Sequence, residues 1–147
     1  MANVYDVAQY ILEQKSEITA IKLQKLVYYC QAWALVWIDG PLFPDSIEAW
    51  ANGPVVPALY LKHRTQYNVT PNEQIGKSGN LNEIEKKVID SILAYYGDKT
   101  AHYLVELTHL EYPWKQTRTD AGVFPGERCD AVIPHAYMAD YYSSLIQ

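Results

Sequence analysis

Apolar residues recur at helical spacing from the start of the chain: Val4, Val7, Ala8, Ile11 and Leu12 define one face of a helix from Asn3 to about Gln14, with Asn3 as its cap. A second helix begins at Thr19. Its first turns carry Lys22, Gln24 and Lys25, which read as an amphipathic start. From Leu26 onward it is apolar on nearly every side, through Val27, Cys30, Trp33, Ala34, Leu35, Val36 and Trp37. A helix apolar all round is enclosed by protein, so this is the expected central helix. Asp39-Gly40-Pro41 ends it, with Gly40 suited to a left-handed cap.

The period then changes. Ile47-Glu48-Ala49-Trp50 alternates apolar and polar residues, and Asn52-Gly53-Pro54 is a turn signal, which together predict a small strand pair. A proline-initiated helix follows to about Arg64. Residues 67–81 are polar, contain Gly and Pro, and read as an exposed loop, the segment with most freedom to move. Asn82 and Glu85 form a capping-box pair ahead of a helix that ends at Gly97. Thr100 caps another, reaching about Leu110. Pro113 begins a short helical turn holding Trp114. After a loop at 122–128, Pro134 opens a last helix with Tyr137, Tyr141 and Leu145 on one face. The fold class expected is mainly α: a single compact helical domain, residues 1–147, around a central apolar helix with a small β-strand pair.

Composition narrows the function. At 49% hydrophobic residues and 147 residues in length, the chain has enough apolar surface for one core without disulfides or a structural metal. A net charge of −5 and the lack of a Lys/Arg cluster argue against a nucleic-acid partner. The longest apolar run, Leu26 to Ile38, is too short to span a bilayer. The N-terminal residues lack the pattern of a secretory signal, and a cytoplasmic, reduced environment is expected for Cys30 and Cys129. Thirteen Tyr and four Trp against two Phe favour either an amphipathic core margin or a protein interface.

The sharpest catalytic candidate is His102, Glu106 and His109, at i, i+4 and i+7 on one helix face. Glu106 and His109 make a Glu-x-x-His pair of the type that binds di-iron, but the chain holds no second such pair. With Leu104, Leu107 and Thr108 on the opposite, buried face, this stripe also reads as an ordinary solvated side. Asp6, Glu13 and Glu17 read as solvated helix charges. No nucleophile elbow or phosphate loop is present, Cys30 sits in an apolar run that disfavours its thiolate, and Cys129 has no evident base. No cofactor is implied. The turns around Trp50-Ala51-Asn52-Gly53-Pro54 and Tyr112-Pro113-Trp114 offer aromatic anchors that serve either the core or a partner.

Three segments in order resemble the Panacea-domain, SocA-like antitoxin family: KLQKLVYYCQAW from Lys22 to Trp33, EAWANGPVVPALY from Glu48 to Tyr60, and LTHLEYPW from Leu107 to Trp114. The resemblance spans about residues 4 to 146. It implies a mainly helical, non-catalytic protein without a cofactor. Its partner would be a cognate toxin, masked by direct binding, or, in the manner of SocA, delivered to a bacterial protease. It also places the chain among phage and mobile-element proteins, and implies a structural part for His109 rather than metal binding. No appended helix-turn-helix is seen, so autoregulation by this chain alone is not expected. The candidate partner-binding residues are Trp50, Asn52, Tyr60, Tyr67, Tyr112 and Trp114, together with the loop from Tyr67 to Leu81.

Overall fold

The computed structural model describes residues 2–146, and α2 (Ala20–Trp37) is the axis of the fold. Thr19 caps it by accepting from the Lys22 N–H at 3.1 Å. Leu23, Leu26, Val27, Tyr29, Cys30, Ala32 and Ala34 are fully enclosed, as the all-round apolar pattern requires. Four helices surround it: α1 (Val4–Lys15), α4 (Glu83–Tyr96), α5 (Ala101–Leu110) and α7 (His135–Ser144). Their apolar faces merge with α2 into one continuous core. The shorter α3 (Pro57–His63) and α6 (Tyr112–Asp120) flank this assembly. Among the described residues no helix is long and apolar enough to cross a membrane.

The expected strand pair is present. β2 (Glu48–Trp50) runs antiparallel to β3 (Gly53–Val55), with Glu48 opposite Val55 and Trp50 opposite Gly53. The chain around Ala131 to Ile133 lines the other edge of β2, through Ala49 N–H to the Ala131 carbonyl at 2.9 Å and Ile133 N–H to the Ile47 carbonyl at 2.8 Å. A second pair was not anticipated: β1 (Ile18–Thr19) joins β4 (Asn68–Val69), two residues on each side.

Several local expectations are corrected. The left-handed residue ending α2 is Asp39, at φ 57°, and not Gly40. The stretch from Tyr67 to Leu81 is not simply an exposed loop. Val69 and Leu81 are buried, and Pro71–Glu73 and Ser78–Asn80 form 3-10 turns packed on α1. Gly76 lies so close to α1 that an added Cβ would land on the Tyr5 carbonyl. Asp6, read as a solvated charge, is buried. It accepts from the backbone of Asn3 at 3.1 Å and of Lys77 at 3.0 Å, and from the Asn80 side chain at 3.3 Å. A buried carboxylate needs such donors, and here two of them come from the distant segment it holds in place. In α7 the residues pointing inward are Met138 and Tyr142, whereas Leu145 is 52% exposed and lies just past the helix.

Candidate functional site at the hairpin

Around the β2–β3 turn the chain assembles a small surface held rigid from beneath. Gln24 and Lys25, in the second turn of α2, are both buried, although the sequence pattern placed them on a wet face. Gln24 clamps Val56 at both ends: its Oε1 accepts from the Val56 N–H at 2.9 Å, and its Nε2 donates to the Val56 carbonyl at 3.3 Å. The same amide meets His63 Nε2 at 2.9 Å. Because the amide nitrogen donates, this imidazole nitrogen accepts, and His63 is held as a neutral ring. Lys25 Nζ donates to the Pro54 carbonyl at 2.9 Å. Gly53, at φ 115°, permits this approach, since a Cβ there would lie 2.9 Å from Lys25 Cε and 3.1 Å from Thr108 Oγ1.

The other side of the hairpin rests on α6. Trp114 is 9% exposed and donates its indole N–H to the Trp50 carbonyl at 2.8 Å. Arg118, also buried, donates to the Ala49 carbonyl at 2.9 Å and to the carbonyls of Phe124 and Glu127 at 3.1 and 2.6 Å. Its guanidinium lies over the Trp114 ring, 5.2 Å from the centroid, and His109 stacks on the same indole at 4.0 Å with 6° between planes. The backbone of this turn is thus fixed by four side chains from two helices, which lowers the ordering cost of meeting a partner.

The electrostatics are one-sided. Burial pushes Lys25 from 10.5 down to about 7. His63 and His109 are lowered as well, by burial first and then by the Lys25 charge. His109 Nε2 is the only buried side-chain polar atom without a hydrogen-bond partner among the described residues. The basic groups under the turn are therefore biased towards neutrality. What the arrangement presents to solvent is a stiff aromatic surface.

That surface gathers three of the residues singled out in the sequence. Trp50 and Tyr60 meet edge to face with centroids 5.0 Å apart, and with Asn52, Val55, Glu48, Arg128, Cys129 and Asp130 they line a cleft of about 580 Å³. Tyr67 is 78% exposed, and its carbonyl receives the Ala20 N–H at 2.8 Å, beside a smaller cleft that Trp50, Asn52 and Tyr60 share with Ala20 and Gln66. Trp114 lies beneath the turn and supports it. Tyr112 is not part of this surface; it packs against Tyr137, centroids 5.3 Å apart. The stripe on α5 does not converge either: His102 and Glu106 are exposed, His109 is stacked on Trp114, and no group of three or more His, Cys, Asp or Glu among the described residues is placed to hold a metal ion. The functional-site reading from sequence did not include Gln24, Lys25, His63 or Arg118. Only the neighbourhood of Asn52-Gly53-Pro54 hinted that a close approach would occur there.

The chain is thus a helical bundle around one enclosed helix that displays a stiff aromatic hairpin. Residues 23–115 match the family model described as Antitoxin SocA-like, Panacea domain, and with well over half of its 147 residues covered the chain belongs to that family. Neither the curated proteins nor the solved structures contain a match to it.

Proposed function

We propose that this chain is an antitoxin that neutralises a cognate toxin by direct protein–protein binding, acting in the cytoplasm as one domain of residues 1–147. Membership of the SocA-like Panacea family carries this reading. The contact surface we assign is the hairpin face of Trp50, Asn52 and Tyr60, with Tyr67 at its margin. Large aromatic side chains on a preordered backbone are the groups that dominate protein interfaces, and the net charge of −5 favours encounter with a basic partner.

The test is a growth assay in which the neighbouring gene is expressed with and without this chain. Arrest by the neighbour alone and recovery with this chain are expected; a harmless neighbour, or no recovery, overturns the assignment. Trp50→Ala should abolish recovery while the protein still folds. Toxin half-life, measured in the same cells, separates masking from delivery to a protease: masking leaves it unshortened.

A further inference from the structure

The opposite end of α2 carries a second surface of different chemistry. A groove of about 510 Å³ opens between α2, α4, α5 and the residues after α7. Its walls are aromatic. Trp33 and Trp37 stack with centroids 5.1 Å apart, and Trp33 donates its indole N–H to Tyr96 Oη at 3.0 Å. Trp37, Tyr95 and Tyr103 are 45%, 68% and 47% exposed, a concentration of uncovered ring surface that isolated surface aromatics do not produce.

Glu111 is the only charged residue lining this groove among the described residues. It is 6% exposed, and its Oε1 accepts from Tyr29 Oη at 2.8 Å and from Tyr142 Oη at 2.7 Å. Oε2 has no hydrogen-bond partner among the described residues and is not among the sealed polar atoms, in a residue that lines the groove. Burial raises the affinity of this carboxyl for its proton, and the two phenol donors partly offset that rise. Among the described residues no Lys or Arg lines the groove, and Lys99, 5.2 Å from the Tyr103 centroid, is the one cation over any of these rings.

A carboxyl floor with an unused oxygen and aromatic walls is complementary to a cation that is also planar. Ring faces attract cations, and a guanidinium adds stacking and paired N–H donors directed at a carboxylate. We propose that this groove receives an arginine side chain of a protein partner, with the guanidinium donating to Glu111 Oε2 and its plane lying against the rings of Trp37 and Tyr95. The net charge of −5 matches a partner that presents basic side chains. The assignment does not require that partner to be a toxin.

The test uses the full chain and N-acetyl-arginine methylamide as probe, with the citrulline analogue as its uncharged isostere. Binding is followed through the indole N–H resonances of Trp33 and Trp37. A saturable shift with a dissociation constant of order millimolar is expected, with the citrulline analogue about tenfold weaker. Glu111→Gln should weaken the arginine analogue about tenfold and leave the citrulline analogue unchanged. Equal affinity for the two analogues, or no saturable shift below about 50 mM, overturns the proposal. Should Glu111→Gln fail to fold, Trp37→Ala and Tyr95→Ala replace it, since both side chains are largely exposed. Each should weaken the arginine analogue at least about threefold, and unchanged binding in both overturns the proposal. A negative result here leaves growth rescue through the hairpin untouched.

Discussion

Replacing Lys25 by Met should stabilise the protein at neutral pH and lose that advantage as the pH rises. In the folded chain burial holds Lys25 near 7; in the unfolded chain it keeps its proton up to 10.5. At 1.36 kcal/mol for each pH unit of that gap, burial of the amine costs about 5 kcal/mol at pH 7 and below. Met keeps most of the volume and removes the amine, but leaves the Pro54 carbonyl without its 2.9 Å donor, a loss of about 1–3 kcal/mol. The net expectation is a gain of about 2–4 kcal/mol at pH 7. Between about 7 and 10.5 unfolding takes up a proton at Lys25, so raising the pH favours the native wild type by up to about 1.4 kcal/mol per pH unit. The variant has no such slope, and its advantage should shrink and then reverse. Urea unfolding of both proteins at several pH values from about 6 to 10 measures this directly, and shared tyrosine ionisation cancels in the difference. A stability difference that does not change with pH would refute the reasoning, because it would mean that folded Lys25 keeps an ordinary proton affinity. Below about 6.5 the lowered His63 and His109 work in the same sense, taking up protons on unfolding and reducing stability as the pH falls.

Gly76→Ala should cost about 3 kcal/mol or more in urea unfolding, because the new methyl group would meet the Tyr5 backbone, which cannot move without distorting α1. Asp6→Ala should cost about 2–3 kcal/mol, through loss of the cap and of the bonds to Lys77 and Asn80, and should speed amide exchange at Lys77. Trp114→Phe keeps the ring but removes the donor to the Trp50 carbonyl; about 1–2 kcal/mol of stability should go with it, read by thermal unfolding. Trp50→Ala should instead weaken partner binding by about 2 kcal/mol or more in calorimetry, with a much smaller effect on stability.

The parts of the fold legible in the sequence were those set by neighbours close in the chain. The enclosure of α2 followed from an apolar run with no polar side. The caps at Asn3, Thr19, Asn82 and Thr100 all close on N–H groups three residues ahead. The β2–β3 turn was announced by Asn52-Gly53-Pro54. What escaped was set by partners far along the chain. Gln24 and Lys25 looked solvated because the groups that satisfy them belong to Val56 and Pro54, and Asp6 because its donors lie at Lys77 and Asn80. A polar residue is buried when a distant backbone completes it, and periodicity carries no record of that backbone. In α7 three tyrosines compete for the inner face. Tyr142 occupies it because its hydroxyl reaches Glu111 and Tyr28, a choice made by hydrogen bonding rather than by hydrophobicity.

The segment from Leu107 to Trp114 shows how one short stretch can serve both ends of the central helix. Leu107 and Glu111 line the aromatic groove, while Thr108, His109 and Trp114 back the hairpin. Between them α5 ends and α6 begins, at Glu111. Trp33 and Trp37 on one side and Lys25 on the other are separated by eight to twelve residues of α2, about 12–18 Å of helix. At that distance substitutions that share no partner usually add in their effect on stability. Substitutions at Trp50 and at Trp37 should therefore be additive in stability to within about 0.5 kcal/mol. A larger interaction energy in that double-mutant cycle would show that the Leu107–Trp114 segment shifts as a unit, and that the hairpin and the groove act as one site.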